Sequence, residues 1–94
     1  MPTRLNHCEI TKLSQLKVGS IYKLEHLTFG ITYTQIMHLD RNYLIELNTG
    51  CGIIKHDKSV LNLNKNAEIT ITLCPKNELE YAKELLNAKK VELL

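Results

Sequence analysis

The amino-acid sequence predicts an α+β fold: a strongly bent antiparallel sheet of about five strands, barrel-like but open, with one C-terminal amphipathic helix. Three observations lead there. Segments rich in β-branched and aromatic residues recur from residue 20 to residue 73, separated by short turn signals. Pro75 then ends the strand region, because proline has no N–H to give a ladder. Beyond it the apolar residues change to helical spacing. A flat antiparallel sheet with the helix across one side is the alternative arrangement.

Residues 1–9 have no periodicity and are expected to form an arm. The run 11–19 predicts a single helical turn, with Leu13 and Leu16 on one face and Gly19 as its φ > 0 stop. Residues 20–27 are strand-compatible, and Thr28-Phe29-Gly30 is a turn. Residues 31–39 alternate, which predicts a strand with Ile31, Tyr33, Gln35, Met37 and Leu39 inward. Threonines 32 and 34 fall on its outer face.

Asp40-Arg41-Asn42 reads as a hairpin turn, since Asp and Asn side chains bond their own backbone. Tyr43, Ile45 and Leu47 continue the inward face, with Glu46 outward. The two glycines of Asn48-Thr49-Gly50-Cys51-Gly52 mark a tight reversal, and a strand returns over 52–56. Lys55-His56-Asp57-Lys58 is a charged interruption, read as a loop. Asn64-Lys65-Asn66 is a further turn. Residues 67–73 alternate Ala, Ile, Ile, Leu against Glu68, Thr70 and Thr72, the clearest strand in the chain.

A helix over 77–89 follows, with Asn77 as N-cap and Glu80 completing a capping box. Leu79, Ala82, Leu85 and Leu86 form its apolar stripe. Glu78, Glu80 and Glu84 sit where the helix dipole favours negative charge, and Lys89 and Lys90 where it favours positive charge. Residues 90–94 suit either a last helical turn or a short closing strand. With 94 residues, 44% of them hydrophobic and 23% charged, the chain has the size and composition of one globular domain.

Function is constrained mainly by exclusion. No run approaches the roughly 18 apolar residues of a membrane span. Residues 1–8 lack the apolar stretch and cleavage site of a secretory leader. The cysteine count is odd, and Cys8, Cys51 and Cys74 are widely spaced, which fits reduced thiols and a cytoplasmic location. Neither His7-Cys8 nor Cys51 with His56 supplies the two close ligand pairs of a structural metal site, so no metal is expected. Gly50-Cys51-Gly52 is too short and wrongly placed for a phosphate cradle, so no nucleotide cofactor is expected.

The net charge of +2 is a mild asymmetry, since eight Lys/Arg face five Asp/Glu before Asn66. A dedicated nucleic-acid binder would show a stronger basic stripe. The expectation is therefore a non-enzymatic binding module acting through protein–protein contacts, a second copy of the chain among the partners. An open sheet leaves edge strands that accept another chain. The candidate binding residues are Arg41, Lys55, His56 and Lys58, with the strand threonines Thr70 and Thr72. A nucleic-acid-binding small barrel is the second class, with Tyr22, Phe29, Tyr33 and Tyr43 as stacking candidates, although a core role suits Tyr33 and Tyr43 better. A small cysteine-dependent enzyme is the third. It would draw on Cys51 in its glycine-flanked turn, with His56 and Asp57 nearby in sequence.

Overall fold

A computed structural model describes residues 9–61, 63 and 68–94. Its elements are β1 (Ile21–His26), β2 (Gly30–Leu39), β3 (Tyr43–Asn48), β4 (Gly52–Asp57), β5 (Ile69–Leu73) and α1 (Leu79–Leu93), with short 3-10 turns at Leu13–Gln15 and Lys76–Glu78. The five strands form one sheet in the order β4-β3-β2-β1-β5, antiparallel at every pairing, and it does not close. The predicted α+β class is thus the observed one. The turn Asn64-Lys65-Asn66 and residue Ala67 lie outside the described residues, as do residues 1–8 of the expected arm. Glu9, the last residue of that arm, forms a bridge with Thr72.

The turns form for the reasons their residues suggest. Asp40 Oδ1 accepts from the backbone N–H groups of Asn42 and Tyr43, each at 2.8 Å, and so fixes the β2–β3 reversal. Asn48 Oδ1 accepts from the N–H groups of Gly50 and Cys51 at 2.7 and 3.0 Å. Gly52 then starts β4 at φ +85°, a conformation that side chains with a Cβ resist. A Cβ there would also sit 3.5 Å from Leu93, at the end of α1.

Both faces of the sheet are covered, which the sequence pattern does not anticipate. On one face α1 lies across β2, β3 and β4. It buries Ala82 and Leu86 against Ile21, Tyr33, Leu47 and Cys74. On the other face Tyr22, Ile36 and Leu44 pack with Leu16, backed by Ile10, Leu13, Leu61 and Leu63. The expected grouping of Leu13 with Leu16 holds, and Gly19 has the expected positive φ of 89°.

The inward set expected for β2 is therefore corrected. Tyr33 is buried, but Thr34 and Ile36, from the opposite face, are buried too. Ile31 and Met37 are exposed. A bulge between Ile36 and His38 inserts Met37 as an extra residue, so Leu39 joins Ile36 on the face away from α1. Two further expectations change. Lys55, His56 and Asp57 are strand residues of β4 and not a loop, with His56 opposite Leu44. At the helix start, Asn77 falls within the 3-10 turn and makes no cap; α1 begins at Leu79 and runs through Leu93, past Asn87. Residues 90–93 are thus its last turn, and Val91 and Leu94 remain exposed.

Candidate functional site

The hairpin β3–β4 and the β2–β3 turn gather Arg41, Lys55 and Lys58 of the predicted binding residues at one corner. Lys58 N–H donates to the Asn42 carbonyl at 2.9 Å, and its Nζ donates to the Asp40 carbonyl at 2.8 Å. This holds Lys58 beside the turn that carries Arg41. Lys55 lies opposite Ile45 and extends its ammonium over the Tyr43 ring, 4.1 Å from the centroid. Arg41, Lys55 and Lys58 therefore share this corner, whereas His56, next to Lys55 in β4, turns to the opposite face of the sheet. Thr70 and Thr72 are not part of this corner. They lie half-buried on β5, at the opposite end of the sheet.

Carboxylates offset the corner's positive charge. The His38 ring at 2.7 Å, with the two backbone N–H groups of the turn, holds the Asp40 carboxyl down at about 2. The Ser59 hydroxyl and N–H likewise hold Asp57 below the ordinary carboxylate range. Both acids are ionised at neutral pH, so this end of the β2–β3 and β3–β4 hairpins carries two negative charges as well as Arg41, Lys55 and Lys58. Of the aromatic stacking candidates, Tyr22 and Tyr33 are buried, while Phe29 and Tyr43 are exposed at opposite ends of β2.

His56 belongs to a second cluster, on the face away from α1. Its Nε2 is 2.6 Å from Glu46 Oε2, and Thr34 Oγ1 donates to Glu46 Oε1 at 2.5 Å. The sequence places Glu46 outward, and its expected solvent is replaced here by this half-buried network. The network forms one wall of a cavity of about 200 Å³. Leu16, Leu24, Ile36, Leu44 and Ile71 supply much of the apolar remainder. Among the described residues every buried side-chain polar atom has a partner within the chain.

The residues considered for cysteine chemistry do not converge. Cys51 is exposed in the β3–β4 turn. His56 lies five residues further on, roughly 16 Å along an extended strand, and its ring is engaged by Glu46. Asp57 points to the other face. Cys74 is buried against α1, and burial, followed by the nearby Glu78 carboxylate, pushes its thiol up. In a Cys8→Ser background, a thiol reagent is expected to label one site, Cys51, in the native protein. Cys74 should become reactive only on unfolding, and equal native labelling of both would contradict the packing described here. No three His, Cys, Asp or Glu side chains converge as metal ligands among the described residues, and His7 and Cys8 lie outside them.

The two sheet edges differ. Along β5 the outer side receives the Glu9–Thr72 bridge, and Ile10 N–H donates to the Ile71 carbonyl at 2.6 Å. Along β4 no strand pairs with the outer side among the described residues. β4 presents Ile53, Lys55 and Asp57 on the α1 side, all exposed, and Ile54 and His56 on the other. No family model, no curated protein and no solved structure matches this chain. Among the described residues no helix is long and apolar enough to cross a membrane.

Proposed function

We propose that the chain is a non-enzymatic binding module that works through protein–protein contacts, and that it does so by accepting a strand on the outer side of β4. The observation that carries this reading is the strand order, which among the described residues leaves β4 with a single neighbour while residues 9 and 10 cover part of β5. An edge strand offers alternate N–H and C=O groups to an incoming chain, whose backbone supplies affinity and whose side chains supply specificity. Arg41, Lys55, His56 and Lys58 flank that edge and give it a charge pattern to read. A cytoplasmic location belongs to the same proposal; the free, exposed thiol at Cys51 supports it, since thiols stay reduced there.

The test is a tagged capture from nuclease-treated lysate, run in parallel with the chain and its Ile53→Lys variant. Ile53 is 64% exposed, so this surface substitution leaves the fold intact. The expected result is a defined protein retained by the parent and lost from the variant. Capture that vanishes with nuclease would favour a nucleic-acid partner instead. Capture indifferent to the substitution would move the contact away from β4.

A further inference from the structure

We infer that the strand accepted by β4 is β4 of a second copy, paired antiparallel about a twofold axis at His56, so that Lys55 and Asp57 of each copy face Asp57 and Lys55 of the other. This rests on the strand-addition reading above and names its partner. The argument begins with register. A self-paired antiparallel edge has few registers that keep like faces together, because side chains alternate with period two. An axis at Lys55 sets two ammonium groups directly opposite each other, which is repulsive. An axis at Ile54 places Lys55 against Ile53 and Asp57 against Cys51, leaving both charges without a cross-strand counterion. An axis at His56 gives two reciprocal Lys55–Asp57 pairs, one on each side.

The groups concerned are available and correctly placed. Lys55 and Asp57 are exposed, and both lie on the α1 side of β4, opposite Ile45 and Tyr43. Asp57 is oriented by Ser59 through Oδ1 at 2.8 and 2.9 Å. Lys55 is positioned by the Tyr43 ring. Directly opposed side chains in an antiparallel pair have Cβ atoms about 5 Å apart, within reach of a lysine–carboxylate contact. A single short ladder buries less than a standard interface, so the dimer is weak, with a dissociation constant on the order of micromolar. Its sheet would run to ten strands, twice the five of one chain, with both helices on one side.

The decisive experiment is sedimentation equilibrium over a concentration series on four samples: the parent, Lys55→Asp, Asp57→Lys and an equimolar mixture of the two variants. Each variant alone sets like charges opposite one another in this register, and its dissociation constant is expected to rise about tenfold or more. In the mixture, the introduced aspartate of one variant meets the introduced lysine of the other. The native Asp57 of the first likewise meets the native Lys55 of the second, so association is expected to return toward that of the parent. Recovery also demonstrates that both variants fold. A parent that stays monomeric while its edge-dependent capture of another protein persists would overturn the self-pairing and leave the binding reading standing. Association in the parent that neither variant weakens, or that the mixture fails to restore, would overturn the register.

Discussion

Truncating Tyr22 to alanine is expected to remove about 4 kcal/mol of folding stability, a large share of the roughly 5–15 kcal/mol available to a domain. Tyr22 is 2% exposed, at the centre of the face away from α1, against Leu16, Ile36 and Leu44. Its hydroxyl accepts from the Lys17 N–H at 2.9 Å and so fastens the turn after Leu13–Gln15 onto the sheet. Gln15 Oε1 in turn accepts from the N–H groups of Thr11 and Lys12, each at 2.9 Å, which organises the segment that Tyr22 holds. Truncation therefore removes a ring from the core and leaves that segment without its anchor. Tyr22→Phe, which keeps the ring, should cost only about 1 kcal/mol. Urea unfolding checks both: the midpoint should fall in that ratio with an unchanged slope. Equal losses for the two variants would mean that the hydroxyl, and not the ring, carries the residue's contribution.

The double covering that gives Tyr22 its weight also explains which parts of the fold were legible in the sequence. Turns were readable because their signals are local: Asp40 and Asn48 bond backbone two and three residues ahead, and Gly52 takes a conformation other residues avoid. The helix was readable from its stripe, but not its start. Glu78 bonds Lys23 and Tyr33 across the fold, and Lys76–Glu78 form a 3-10 turn ahead of α1 instead of an Asn77 cap. Which strand residues face inward was not readable, because alternation assigns one buried face and this sheet has two. The bulge at Met37 has no glycine or proline to announce it, and it reverses the phase of β2.

The candidate site divides the same way. Arg41, Lys55 and Lys58 share a corner because consecutive hairpins bring near-neighbours in sequence together, while strand alternation turns His56 to the other face. Thr70 and Thr72 are removed from them because β5 adds beside β1, and no local pattern encodes the side of the sheet a distant strand joins. The charge density of Lys55-His56-Asp57 suggested a loop, yet charge is also a common property of edge strands. The feature on which the proposed function rests was thus visible in composition and misread in geometry.

On the α1 side Tyr33 plays the part that Tyr22 plays on the other, and its loss is expected to be equally severe. Tyr33 is 4% exposed, its ring meets Tyr81 edge-on at 6.0 Å, and its hydroxyl donates to Glu78 Oε1 at 2.6 Å. Glu78 also receives Lys23 Nζ at 3.0 Å, so one carboxylate ties the start of α1 to β1 and β2. Tyr33→Ala should cost about 4 kcal/mol and Tyr33→Phe about 2 kcal/mol, the larger hydroxyl share reflecting a charged acceptor. The pH dependence separates this hydroxyl from the ring. Burial first, and then the Glu78 carboxylate, raise the Tyr33 phenol well above its ordinary range, and burial raises the Cys74 thiol. A group whose folded value is raised holds its proton longer in the native state than in the unfolded one. Its contribution to stability is complete below the ordinary value and is lost as pH rises beyond it. Stability is therefore expected to begin falling near pH 9, where an unfolded thiol ionises, and to fall more steeply above about pH 10, where an unfolded tyrosine does. Tyr33→Phe, though less stable at pH 7, should lose the steeper portion and keep the shallower one. Thermal melts of the parent and Tyr33→Phe between pH 7 and 11 read this directly, and parallel curves for the two would show that the Tyr33–Glu78 bond contributes nothing to holding α1 on the sheet.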